Sequence, residues 1–129
     1  MKKGEYYIPD LDFEYKLWKN TLCYLQEQKT LYSTRIDELL SELNVPEGRP
    51  YVKDDLEELK NRFVAFEENI NDVSKQIHLQ EDEMGIFARD YPITSSHQHF
   101  VEHECIRFEM DELAKLFQEL RKEFSIYLV

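Results

Sequence analysis

Three stretches of the chain each place an apolar residue at alternating steps of four and three, and hold that rhythm over several heptads. A period of 3.5 residues suits a helix that buries one narrow face against other helices, and a strand cannot use it. The first stretch reads Leu11, Tyr15, Trp18, Leu22, Leu25, Lys29, Tyr32, Ile36, Leu39, Leu43. The second reads Leu56, Leu59, Phe63, Phe66, Ile70, Val73, Ile77, Gln80, Met84, Phe87. The third reads His99, His103, Ile106, Met110, Leu113, Phe117, Leu120, Phe124, Tyr127. Lys29 interrupts the first seam, and its stem can lie along apolar neighbours while its ammonium reaches water.

Turn signals separate the stretches. Asn44-Val45-Pro46-Glu47-Gly48-Arg49-Pro50 is one, and the segment from about Arg89 to Ser96, with Tyr91-Pro92 and Thr94-Ser95-Ser96, is the other. The pattern predicts helices over about 11–43, 54–87 and 96–128. Asp10 or Asp12 would cap the first, and Asn44 with Pro46 would stop it. Asp54 with Glu57, and Ser95 with Gln98, have capping-box spacing for the other two. Gly85 weakens the last turn of the second. Similar lengths and short turns predict a single all-α domain over 1–129, an antiparallel up-down-up three-helix bundle. Leu17, Leu31 and Leu40 lie off the first seam, and Val101, Phe108 and Leu116 off the third. They either widen a monomer's core or meet a partner, so a homodimer stays open.

Composition narrows the function classes. Asp and Glu number 27 against 16 Lys and Arg, a net charge of -11, which excludes a phosphate-binding surface and so nucleic acid. No apolar run is long enough to cross a membrane, and none follows Met1-Lys2-Lys3 as in a signal peptide. Cys23 and Cys105 form neither a C-x-x-C motif nor a disulfide framework. A reduced, cytoplasmic protein is the expectation. A rough offset between the first and third helices brings the two thiols within about a turn, as a buried pair, with a redox switch as the alternative. Carboxylate pairs such as Asp54-Asp55, Glu57-Glu58 and Glu67-Glu68 read as solvated helix faces. No serine or cysteine sits in a nucleophile-like setting and no glycine-rich phosphate loop is present, so an enzyme is not expected.

The seams turn polar at one end. His99 and His103 share a helix face at i, i+4, a spacing that can chelate one metal ion. The turn near Pro92 folds the second helix back toward them, so Glu81 and His78 join as candidate ligands for a single zinc or iron ion, with Glu14 within reach from the first helix. A di-iron site needs Glu-x-x-His motifs that are absent here. The alternatives are a structural layer in which half-buried histidines bond to carboxylates among aromatic rings, and a pH-sensitive or partner-binding use, since histidine titrates near neutrality.

Four strings carry a family resemblance: Trp18-Lys-Asn-Thr-Leu22, Ile77-His-Leu-Gln-Glu81, His103-Glu104-Cys-Ile-Arg107 and Leu120-Arg-Lys-Glu-Phe124. Together they resemble a family of short all-helical proteins of Bacteroidetes-type bacteria that has no assigned activity. In that family's pattern a histidine precedes the glutamate of the second helix and His-Glu opens the third. His103-Glu104 matches the latter; Gln80 stands at the former, with His78 two residues earlier. The resemblance implies a helical protein and no particular chemistry. The leading expectation is therefore a non-enzymatic bundle acting through protein–protein contact, with a metal-binding bundle as the rival. A third reading, an acidic surface that occupies a basic partner, predicts salt-sensitive association.

Overall fold

The computed structural model describes residues 5–42, 50–84, 92–94 and 98–128. Three long helices carry the fold: α1 (Ile8–Glu42), α2 (Pro50–Met84) and α3 (Gln98–Phe124), the last followed by a short 3-10 turn, Ser125–Tyr127. They form an antiparallel up-down-up bundle. At 1.5 Å per residue, α1 and α2 are each about 50 Å long.

The seams form the core. Tyr15, Ile36, Phe63, Phe66, Ile77 and Leu120 are fully buried, and Leu22, Leu25, Ile70, Val73, Leu113 and Phe117 nearly so. Trp18, Tyr32, Leu39 and Tyr127 are half-buried and pack against that core. Burying each large apolar side chain contributes about 1.5–3 kcal/mol. α2 packs closely on both α1 and α3, whereas α1 and α3 approach each other mainly through rings. Tyr32 of α1 meets Phe117 edge-on at 6.0 Å and Phe124 at 5.1 Å, and it stacks on Phe63 of α2 at 5.3 Å. Lys29 keeps its seam position, but its ammonium pairs with Glu67 of α2 rather than reaching water alone.

The helix starts differ from expectation. α1 begins at Ile8, so Asp10 lies in its first turn, where a carboxylate favours the helix dipole, and Asp12 lies beyond it. α2 begins at Pro50, a turn before Asp54, so Asp54 is interior and no cap. Proline suits a first helical position, because its missing N–H has no intrahelical partner there. α3 begins at Gln98; Ser95 lies outside the described residues, as do Leu43, Asn44, Pro46, Gly85 and Phe87. At the other end of α3, Arg121 and Lys122 place positive charge on the C-terminal turn.

Two three-residue strands complete the described structure. β1 (Glu5–Tyr7) pairs antiparallel with β2 (Pro92–Thr94), with Tyr6 opposite Ile93. This clip ties the start of α1 to the chain that leads into α3. Both helices therefore set out from one end of the bundle in the same direction, in a fixed register.

Candidate functional site

That register decides which polar residues meet. Contacts between α1 and α3 join Trp18, Tyr15 and Glu14 to His103, and Glu14 to Arg107. His103 has no exposed surface. Its ring sits 4.6 Å from Tyr15, edge-on, and 4.7 Å from Trp18, tilted. Its Nε2 faces the Glu14 carboxylate. Arg107, one helical turn further along α3, donates to the same carboxylate and to Glu104, and its guanidinium lies 5.9 Å from the centre of the Trp18 ring.

The charges of this layer follow from its packing. Burial pushes the His103 imidazole below its ordinary 6.5; the Glu14 carboxylate opposes that shift and Arg107 adds to it. Burial pushes the Glu14 carboxyl up, but hydrogen bonds from His103 and Arg107, with the guanidinium charge, outweigh it and hold the group below 4.5. At neutral pH the pair is a carboxylate facing a neutral ring. The imidazole then carries its proton on Nε2 and donates it to Glu14. Nδ1 is left as a buried lone pair with no partner among the described residues, and the hydroxyl of Tyr15, whose ring packs on the imidazole, likewise has none among them. Burial, followed by the carboxylates of Glu102, Glu14 and Glu81, pushes that phenol well above its ordinary 10. A buried polar atom without a partner costs about 1–3 kcal/mol.

A second cluster joins α2 to α3. Gln80 is buried on the seam and uses both ends of its amide. Its oxygen accepts from Nδ1 of His99 at 3.0 Å, and its nitrogen donates to Glu102. Glu83 lies 3.9 Å from the same His99 nitrogen. A glutamine in an apolar seam is thereby satisfied, as a buried amide must be.

The four sequence-predicted ligands engage different partners. His103 is committed to Glu14, and His99 to Gln80. Glu81 pairs with Lys19 of α1 at 2.9 Å, and His78, largely exposed, lies 3.7 Å from Glu81. Glu81 thus belongs to the α1–α2 side rather than beside His103: Gln80 holds the face toward α3, and the next residue is turned about 100° from it around the helix. Among the described residues no group of three or more His, Cys, Asp and Glu side chains converges as a metal ion would require. Arg107 was missed in the sequence, although its i, i+4 spacing from His103 puts both on one face. Cys23 and Cys105 are both exposed, so they are not the buried pair expected.

The off-seam apolar residues divide. Leu40 and Leu116 pack against the core. On α1, Phe13, Leu17, Tyr24 and Leu31 remain 62%, 49%, 52% and 64% exposed, and on α3 Val101 and Phe108 are 48% and 64% exposed. Leu17, Tyr24 and Leu31 follow one another at seven-residue steps, so they form one stripe along α1. The α1 side chains that reach α2 include Lys19, Lys29 and Asp37, those that reach α3 include Glu14 and Trp18, and Tyr32 touches both helices. The stripe lies on neither side. Among the described residues no helix is long and apolar enough to cross a membrane. Compared with models of protein families, with curated proteins and with solved structures, the chain matches none.

Proposed function

We propose that this chain is a non-enzymatic helical bundle whose work is protein–protein contact through the outer face of α1. One observation carries the reading: four large apolar side chains at heptad-type spacing stay about half or more exposed on a helix whose opposite face is packed in the core. Single exposed apolar residues need no explanation, but a row of them aligned on one face of a helix, separated only by uncharged amides, marks a contact surface. The polar layer around His103 supports the same assignment. Its nitrogen and carboxylate oxygen are spent on each other, which suits a group that fixes helix register rather than one that meets a substrate.

A photo-crosslinking residue at Tyr24, introduced into the chain in its native cells, tests this. Light should produce a protein adduct that disappears when Leu17→Glu and Leu31→Glu are added. An absence of adducts at Tyr24, with the fold intact by circular dichroism, would remove the reading's support.

A further inference from the structure

The outer face of α1 is ordered about Tyr24: its leucines and its amides are mirrored there, and an aromatic ring faces a guanidinium further out. Leu17 and Leu31 stand seven residues to either side of it. Asn20 and Gln28 stand four to either side, and Phe13 and Arg35 eleven. All share the stripe, because the steps along it run four, three, four and then four, three, four. When a helix packs on a second copy of itself about a two-fold axis, each residue meets its mirror in sequence about the axis. With the axis at Tyr24, leucine meets leucine, amide meets amide, and the Arg35 guanidinium meets the Phe13 ring. The last is a cation–π contact, made by a guanidinium that also pairs with Glu38 of its own helix at 2.9 Å.

The charge pattern points the same way. A chain with a net charge of -11 repels its own copy, so self-association needs a face that leaves charge out. Charged residues are 33% of the chain, yet from Asn20 to Thr34 only Glu27 and Lys29 carry charge, and Lys29 is turned to Glu67 of α2. The hydroxyl of Thr21, beside the stripe, donates to the carbonyl of Leu17 at 3.2 Å. Covering the face does not strand it, and an unmade hydrogen bond is the chief cost of burying such a group. The apolar residues of α3 lack this order. Val101 and Phe108 are followed by Lys115 at the next heptad step, with Glu104, Arg107, Asp111 and Glu112 around them.

We infer that the occupant of the α1 stripe is a second copy of this chain, packed antiparallel about a two-fold axis at Tyr24. The inference rests on the proposed function and names its partner. It also places the exposed Cys23, next in sequence to Tyr24, within reach of its mate across the axis. Thr34 would lie opposite Glu14 and about 30 Å from its own mate, at 1.5 Å per residue.

The experiment uses the full chain. Sedimentation velocity should show a dimer, and Leu17→Glu with Leu31→Glu should return it to monomer with unchanged helical content. A short bismaleimide should link the Cys105→Ser chain into a covalent dimer through Cys23, and should fail to link the Cys23→Ser chain. In the cysteine-free chain carrying Thr34→Cys it should also fail. A link through Thr34→Cys would mean parallel packing, and a link through Cys105 would mean the α3 face; either overturns the inference. A monomeric wild-type chain overturns it as well. If that monomer still gives the Tyr24 photo-adduct described above, the contact face stands with a different protein on it. If it does not, both readings fall together.

Discussion

Glu14 and His103 should be coupled energetically, because each closes the other's hydrogen bond. Replacing Glu14 by Ala strands Nε2–H of a fully buried ring, which costs about 1–3 kcal/mol. The same change loses the Arg107 ion pair, but that side chain is 41% exposed and keeps Glu104, so this part is at most about 1 kcal/mol. In a His103→Leu background nothing is stranded and only the smaller part remains. The His103→Leu chain itself should lie close to wild type. It gives up ring contacts with Tyr15 and Trp18 worth about 0.5–1.5 kcal/mol each, and it removes an orphaned Nδ1 that costs a similar amount. A double-mutant cycle should therefore show about 1–3 kcal/mol of coupling. The gain in helix propensity on placing Ala at 14 cancels within the cycle. Urea unfolding followed by circular dichroism, with Trp18 fluorescence as a local probe, measures all four corners. If the two changes add within about 0.5 kcal/mol, the hydrogen bond does not hold the layer, and the account of its protonation fails with it.

Three further outcomes follow from the same layer and its surroundings. Tyr15→Phe removes a buried hydroxyl without a partner and leaves the ring in place, so thermal unfolding should move upward by up to a few degrees; a drop of that size would show the hydroxyl to be satisfied. Stability should fall on acidification from neutral pH. Below about pH 6.5 the unfolded chain binds a proton at position 103 that the folded chain refuses until its depressed value is reached, at a slope of up to about 1.4 kcal/mol per pH unit; His103→Leu should flatten that slope. The contribution of Glu14, whose folded value is also depressed, is present above about 4.5 and is lost only as pH falls through that lower value, so Glu14→Gln should leave the near-neutral slope in place and soften the steeper acid limb.

The seams were legible because their period is a property of the helix itself. Each apolar seam residue from Leu11 to Leu39, from Leu56 to Ile77 and from Ile106 to Tyr127 is buried or half-buried. The start of α2 was misread because Asp54 and Glu57 offer capping chemistry that Pro50 pre-empts one turn earlier. The two strands were not readable at all: three residues give no alternation to detect, and their pairing is a long-range event. The polar end was legible in composition but not in partnership. His99, His103, Gln80 and Glu14 were all visible there, yet which carboxylate each histidine meets depends on a shift of one turn between helices, and heptad arithmetic does not resolve one turn. The stripe on α1 is the opposite case. Leu17 and Leu31 stood out as surplus to the seam, and only the packed bundle separates them from Leu40 and Leu116, which the core absorbs.

The β1–β2 clip bears on the order in which the chain assembles. α1 with α2, and α2 with α3, are neighbours in sequence and can zip up from their connecting turns, a fast kind of contact. The clip closes a loop that takes in both α1 and α2, so most of its closure entropy is lost before any of its own bonds reward it. It should therefore form last. Formation of the Glu14–His103 bond, which spans the same pair of helices a few residues further in, then marks the moment folding is complete. Trp18, packed on that histidine, turns the last step into an optical signal: its fluorescence should settle after the helical circular dichroism has already reached its final value.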